Sequence, residues 1–291
     1  MSQNEIKTKK VWTVLELIDW GTQYLRDKAF ESPRLVIELL LSKVLNLSRI
    51  ELYLNFEKPL TSVELSIIKS YIKRLLSGEP LQYILGEVQF LNFKLNLLKK
   101  VFIPRPETEI LVATVLEVFK ELRDNQMKIL DIGCGSGAIS IALADFFRNS
   151  KIIAIDIDSN AIEQTLENAN SYNLKNIECL KIDILKTIPE GNFDIIVSNP
   201  PYIPLAEYEN LPPHIKKEPK HSLTDGADGL TFYRRFAEIF PTLLSPNGSF
   251  FLEVGWNQAE TVASIFREKG FDVLIKKDFE KIKRIVYSIR F

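Results

Sequence analysis

Apolar residues recur at helical spacing along the first part of the chain. Between Val11 and Phe30 the stripe is Val11, Val14, Leu15, Ile18 and Leu25, which predicts an amphipathic helix. Ser32 followed by Pro33 reads as a cap with proline in the first helical position, opening a helix to about Leu45. Thr61-Ser62-Val63-Glu64 has the spacing of a capping box, and Gly78 ends the helix it opens. These segments predict a small helical bundle. From Gly86 to Leu97 the pattern becomes an imperfect alternation with a turn signal at Leu91-Asn92, the pattern of a β-hairpin. Beyond about Val101, short apolar runs alternate with helical stretches. Lys128–Ile132, Lys151–Asp156, Ile177–Ile182 and Phe193–Ser198 read as strands, with helices over Ala138–Phe147 and Ala161–Tyr172. That alternation predicts an α/β fold with a parallel, doubly wound sheet. Ser249–Val254, Phe271–Lys276 and Arg284–Ile289 add strands around one further helix. The expected organisation is a helical domain over 1–84, a hairpin linker over 85–100 and an α/β domain over 101–291.

With 291 residues and 46% hydrophobic content, the chain is long enough for two cores. The formal net charge of -1 supplies no global field toward nucleic acid or membrane. The basic clusters Lys216-Lys217 and Lys281-Ile282-Lys283-Arg284 read as solvated faces. Two distant cysteines, Cys134 and Cys179, argue against a disulfide framework and fit a reducing compartment. His214 and His221 lack metal-ligand spacing to either, so no metal site is expected. Met1–Lys10 is polar and without the apolar core of a signal peptide, and no stretch is long enough to span a bilayer. A cytoplasmic protein with no membrane association is the expectation. Trp12, Trp20, Trp256 and Cys179 are assigned to cores.

The most informative stretch is Asn199-Pro200-Pro201-Tyr202, directly after the strand Phe193–Ser198. Two prolines stop that strand, which places the tetrapeptide at a carboxyl strand end, where open α/β sheets bind ligands. Asn199 offers a carbonyl acceptor and Tyr202 a flat face. Together they suit a planar group carrying an NH2, an amide or an exocyclic amine. Asp131-Ile132-Gly133-Cys134-Gly135-Ser136-Gly137 joins the first strand of the α/β region to its helix. Its third glycine comes one residue too early for a dinucleotide fingerprint, and the chain has no P-loop. Asp156 ends the next strand, about twenty residues on, where a carboxylate commonly takes ribose hydroxyls. A glycine loop with that acid points to a nucleoside cofactor. Cys134 reads as a spacer rather than a nucleophile. Ile203 to Gly229 is a long proline-bearing connection, and its position favours a lid or substrate-recognition loop.

The D-x-G-x-G-x-G loop, Asp156 and the Asn-Pro-Pro-Tyr motif resemble class I S-adenosylmethionine-dependent methyltransferases with a Rossmann-like sheet. Gly78-Glu79-Pro80-Leu81-Gln82-Tyr83-Ile84-Leu85-Gly86 and Ile103-Pro104-Arg105-Pro106-Glu107-Thr108-Glu109 are similar to segments of the release factor glutamine methyltransferases (PrmC/HemK). Glu218-Pro219 and Asp228-Gly229-Leu230 follow the same pattern. The resemblance covers nearly the whole chain. It implies methyl transfer from S-adenosylmethionine, leaving S-adenosylhomocysteine, to the glutamine side-chain amide nitrogen in the Gly-Gly-Gln motif of class 1 peptide chain release factors. It also implies cofactor contacts from Gly133, Cys134, Gly135, Ser136, Gly137, Asp156, Asp183, Ile184 and Asn199, with apolar packing from Ile184. Phe102 and Thr108-Glu109 would close over the cofactor, while an Arg105–Glu109 ion pair pinning the segment is an equal alternative. Asn199, Pro200 and Tyr202 would be catalytic, and Pro201 would complete the substrate contact. In this scheme the Asn199 side-chain oxygen and the Pro200 carbonyl accept the two amide hydrogens, and Tyr202 packs on the amide plane. Glu253 is given a structural role. The helical domain would grip the protein substrate, and a monomer is expected. The competing readings are an adenine exocyclic-amine methyltransferase on RNA or DNA, and a protein-binding module that keeps the cofactor fold for structure alone.

Overall fold

The computed structural model describes residues 11–290, so the polar stretch Met1–Lys10 lies outside the described residues. The chain divides after Leu85 into two compact units.

The first unit is helical. Thr13 opens α1 (Val14–Arg26) with a reciprocal box: its hydroxyl accepts from the Glu16 N–H, and the Glu16 carboxylate accepts from the Thr13 N–H at 3.0 Å. Val11 lies before this helix and is exposed, so it does not belong to the apolar stripe. α2 (Pro33–Leu45) starts differently, because Ser32 sits at φ 48° and its hydroxyl makes no capping bond. Side-chain capping needs extended backbone at the cap, so Pro33 opens this helix unaided. Capping boxes also open α3 (Arg49–Leu54) at Ser48 and α4 (Ser62–Leu76) at Thr61. α5 (Leu81–Leu85) follows. Val14, Ile18, Leu40, Leu41, Leu52 and Ile68 form the centre of one apolar core. Glu38 is buried beside it and accepts hydrogen bonds from Arg34, Arg49 and Tyr53. Burial pushes its carboxyl up, but the three donors outweigh that and hold it below the ordinary range.

The second unit begins with the antiparallel hairpin β1 (Glu87–Phe90) and β2 (Phe93–Asn96), turned at Leu91 with φ 49°. α6 (Pro106–Val118) leads into the main sheet. That sheet is built from β3 (Lys128–Ile132), β4 (Lys151–Asp156), β5 (Ile177–Lys181), β6 (Phe193–Ser198), β7 (Leu244–Glu253), β8 (Leu274–Lys277) and β9 (Lys283–Ser288). Their spatial order is β5-β4-β3-β6-β7-β9-β8. The first five run parallel, and β9 pairs antiparallel with both β7 and β8. The strand order reverses between β3 and β6, which opens a crevice at their carboxyl ends. The remaining α-helices among the described residues are α7 (Ala138–Phe146), α8 (Ser159–Ser171), the short α9 (Leu205–Tyr208), α10 (Thr231–Leu243) and α11 (Ala259–Arg267).

Strand alternation sends side chains to two cores. Leu130, Ile132 and Ile196 join Phe236 and Phe240 of α10 on one face. Ile129, Ile195 and Val197 join Val112 of α6 and Ile141 of α7 on the other, together with Phe90 and Leu95 of the hairpin. The hairpin is thus part of the second unit. α8 stitches it down: the Gln164 Oε1 accepts from the N–H groups of Leu98 and Lys99, and the Asn168 Oδ1 accepts from Asn96 N–H at 2.8 Å. Asn168 also donates to the carbonyls of Asn96 and of Ser136 in the glycine loop, at 3.0 and 2.9 Å.

Two core assignments fail: Trp256 is 66% exposed and Trp20 is 44% exposed, whereas Trp12 is half-buried and packs against the helical core. Cys179 is half-buried, because β5 is the edge strand of the sheet. Arg284 departs from the solvated face expected of its cluster: it is largely buried and pairs with Asp278 and Glu107. Among the described residues no helix is long and apolar enough to cross a membrane.

Candidate active site

The loop after β3 occupies the crevice. Gly133, Gly135 and Gly137 all have positive φ, which glycine adopts without steric penalty. A side chain at Gly133 would meet nothing within 4 Å, so the backbone there faces open space. Gly137 is different: a Cβ would come within 3.0 Å of the Thr165 side chain on α8, so this glycine serves close packing at the entry to α7. Asp156 fastens the loop from β4. Its Oδ2 accepts from Gly135 N–H at 3.0 Å and its Oδ1 from Asp158 N–H at 2.9 Å. Burial pushes its carboxyl up, and those two backbone donors oppose the shift. Helix capping falls to Asp158, which accepts from Asn160 N–H. Below the loop, buried Asp131 accepts from the Ser140 hydroxyl with one oxygen and leaves the other without a partner. Burial pushes it up to about 7. Cys134 is buried with its thiol raised well above the ordinary value by burial, so it is a poor nucleophile.

A cavity of about 300 Å³ lies over this loop. Of the residues expected to touch a cofactor, Phe102, Thr108, Gly133, Cys134, Gly135, Ser136, Asp156, Asp183, Ile184 and Asn199 line it, and Gly137 does not. Pro200 and Pro201 line it as well, whereas Tyr202 does not. Glu109 points elsewhere: its carboxylate accepts from Leu91 N–H in the hairpin turn at 2.8 Å. Arg105 pairs with Glu218 instead, so the Arg105–Glu109 ion pair does not form. Ile157 and Phe232, which no sequence motif marks, also line the cavity, as do His221 and Asp225. Ile157 follows the end of β4 and was within reach of a strand-end argument. The others come from the loop after Tyr202 and from α10.

That loop walls the cavity with Pro219, His221, Ser222, Thr224 and Asp225. Glu218 fastens it, accepting from Ile103 N–H at 3.0 Å and from the Arg105 guanidinium. Asp225 organises its return by accepting from the backbone N–H of Ala227, Gly229 and Thr231. Gly229 passes so close to Tyr202 that a Cβ would lie 2.3 Å from the Tyr202 carbonyl oxygen. The Gln258 side chain donates to that carbonyl at 2.8 Å.

The Asn-Pro-Pro-Tyr segment emerges where Ser198 donates to the Ile132 carbonyl, locking β6 to β3 at the switch point. The Asn199 side-chain NH2 donates to the Thr108 hydroxyl at 3.0 Å. Thr108 donates to Glu253 at 2.7 Å, and the Tyr202 hydroxyl donates to the other Glu253 oxygen at 3.3 Å. Glu253 is fully buried, and burial pushes its carboxyl up to about 7. The Tyr202 phenol is raised by burial and by the Glu253 charge.

The donor set fits a nucleoside sulfonium. Phe102, Ile157, Ile184 and Phe232 supply apolar walls for a base, Asp156 and Asp183 supply carboxylates, and the glycine loop lets backbone approach closely.

Comparison with known proteins gives three family-model matches. The PrmC N-terminal domain matches residues 16–86 and the Methyltransferase domain residues 123–288. The tRNA (Uracil-5-)-methyltransferase model matches 60–185 and stops before Asn199. The release factor glutamine methyltransferase of Geobacter sulfurreducens is 37% identical over 279 residues, covering 95% of this chain and 96% of that protein. That of Thermodesulfovibrio yellowstonii is 41% identical over 246 residues, covering 84% and 88%. A solved methyltransferase from Pyrococcus furiosus shares the fold, with TM-score 0.51 and 19% identity over 76% of this chain and 98% of that one.

Proposed function

The chain belongs to the release factor glutamine methyltransferase family, and from that premise we propose how its site methylates the glutamine side-chain amide nitrogen in the Gly-Gly-Gln motif of class 1 release factors. S-adenosylmethionine, when bound, supplies a methyl group made electrophilic by its sulfonium. Gly133, Gly135, Asp156, Asp183 and Ile184, which line the cavity, would hold it, with Phe102 at the wall. The observation that carries the reading is Asn199, set at the switch point on the same cavity as the glycine loop.

An amide nitrogen is a weak nucleophile because its lone pair is delocalised into the carbonyl. Asn199 Oδ1 and the Pro200 carbonyl accept its two hydrogens, which fixes the nitrogen in line and stabilises the positive charge that grows there. The nitrogen sheds one proton to solvent after the methyl arrives, so no strong base is needed. Tyr202 acts from beside the cavity, its ring half-buried and its hydroxyl anchored on Glu253. This reaction makes the chain a protein-methylating enzyme of translation termination, which would act in the cytoplasm, where release factors work.

The test is peptide-mapping mass spectrometry of a recombinant class 1 release factor after incubation with this protein and S-adenosylmethionine. One added methyl on the Gly-Gly-Gln glutamine supports the reading. Methyl transfer to an adenine in RNA or DNA, with none to the release factor, would replace it with the exocyclic-amine alternative.

A further inference from the structure

A hydroxyl group has a single hydrogen. Thr108 has committed its own to Glu253 Oε2 at 2.7 Å, so toward Asn199 it can only accept. Asn199 must therefore turn its NH2 to Thr108, and its Nδ2 lies 3.0 Å from that hydroxyl. Its carbonyl oxygen is then left as the acceptor at the cavity. An asparagine turned the other way would present a donor to the substrate amide, and donor would face donor. Glu253 itself is held on three sides. Tyr202 donates to Oε1, and the Tyr233 hydroxyl donates to its backbone carbonyl at 2.8 Å. Antiparallel pairing with Ile285 on β9 fixes the strand beneath it.

We propose that Thr108 and Glu253 are positioning residues that set the orientation of the Asn199 amide, so that its oxygen rather than its nitrogen meets the substrate. The proposal rests on the reading of Asn199 as the acceptor for the glutamine amide. Neither residue touches the reacting atoms. They act through a chain of hydrogen bonds whose direction begins at the buried Glu253 carboxyl group, whose Oε2 accepts from Thr108.

The test combines steady-state kinetics on the release factor with hydrogen exchange of the Asn199 side-chain amide, followed by NMR on asparagine-labelled enzyme. Thr108→Val keeps the shape and removes the hydroxyl. It is expected to lower kcat about a hundredfold, with cofactor affinity and KM for the release factor within about threefold. Thr108→Ser recovers most of that loss. Glu253→Leu frees the Thr108 hydrogen to turn toward Asn199 and lowers kcat similarly. Glu253→Gln can rest its oxygen on Thr108 and its NH2 on the Tyr202 hydroxyl, and keeps kcat within about fivefold. Asn199 amide protons are protected in the wild type and in Thr108→Ser, and lose protection in Thr108→Val. Equal kcat per folded enzyme and equal protection in Thr108→Val and wild type would overturn the proposal. If the wild type transfers no methyl to the release factor, the functional reading falls, and the exchange pattern alone then upholds or overturns the orientation.

Discussion

Removing the Glu218 carboxylate should open the loop that walls the cavity. Glu218 is 4% exposed and joins the loop to the Ile103–Arg105 segment through two contacts. Deleting one partner of a buried ion pair costs about 3–5 kcal/mol. Here the Arg105 side chain keeps 26% exposure and can be partly rehydrated, which puts the cost at the low end. The Ile103 N–H is also left without its acceptor, a loss of about 1–3 kcal/mol already counted within that range. Glu218→Ala should therefore lower the free energy of loop opening by about 3 kcal/mol, and Glu218→Gln, which still accepts from Ile103, by about half as much. Trypsin reads this directly, since Lys216, Lys217 and Lys220 flank the position. When opening is fast relative to cleavage, the rate tracks the open population, so the alanine variant should be cut there roughly a hundredfold faster and the glutamine variant about tenfold faster. Added S-adenosylmethionine should slow both. Cleavage within about threefold of wild type in both variants would refute the clasp.

Asn199→Ala should reduce kcat at least about a hundredfold while calorimetry finds cofactor affinity little changed; a normal turnover on the full release factor would remove Asn199 from the chemistry. Asp156→Asn should weaken S-adenosylmethionine binding about tenfold or more, measured by the same titration. Gly229→Ala places a Cβ 2.3 Å from the Tyr202 carbonyl oxygen at φ 81°, so about 3 kcal/mol of stability and about 8 °C in Tm should be lost; a shift under about 2 °C would contradict the close approach. Glu253 is raised from 4.5 to about 7, so between those values the folded protein holds a proton that the unfolded chain has released. Its stabilising contribution is present at low pH and is lost as pH rises toward and through 7. Glu253→Gln should therefore gain on the wild type by up to about 3 kcal/mol between pH 5 and pH 8 in denaturant titrations, and a pH-independent difference would contradict the burial argument.

The strands of the doubly wound sheet were legible because burial on both faces writes continuous apolar runs such as Phe193–Ser198, and proline pairs end them unmistakably. The hairpin was legible from its alternation and its Leu91-Asn92 turn. Motif spacing also led to the glycine loop, Asp156 and Asn199, which line the cavity, but not to Ile157 or Phe232, which line it too. What sequence could not reveal was pairing across long separations. Glu218 meets Ile103 and Arg105 from 115 and 113 positions away, and Glu253 meets Thr108 from 145. No periodicity encodes such contacts, whereas nearness in sequence suggests Glu109 for Arg105, which pairs with Glu218 instead. Trp20 and Trp256 lie outside the cores for another reason. Residue type gives an average burial, and Trp256 stands on the exposed segment just past the end of β7. Ser32 shows that residue type alone does not make a cap, since its left-handed backbone leaves the hydroxyl unbonded.

The stitching of the hairpin to α8 decides where this polypeptide can be dissected. A fragment starting at residue 101 would keep the glycine loop and the Asn-Pro-Pro-Tyr segment. It would also strip Gln164 and Asn168, both fully buried, of the backbone groups they bind. Each orphaned amide costs about 1–3 kcal/mol, and the bared contacts of Phe90 and Leu95 add to that. Chimaeras that exchange helical units between relatives should therefore splice at Leu85–Gly86, so that the hairpin travels with the catalytic fragment.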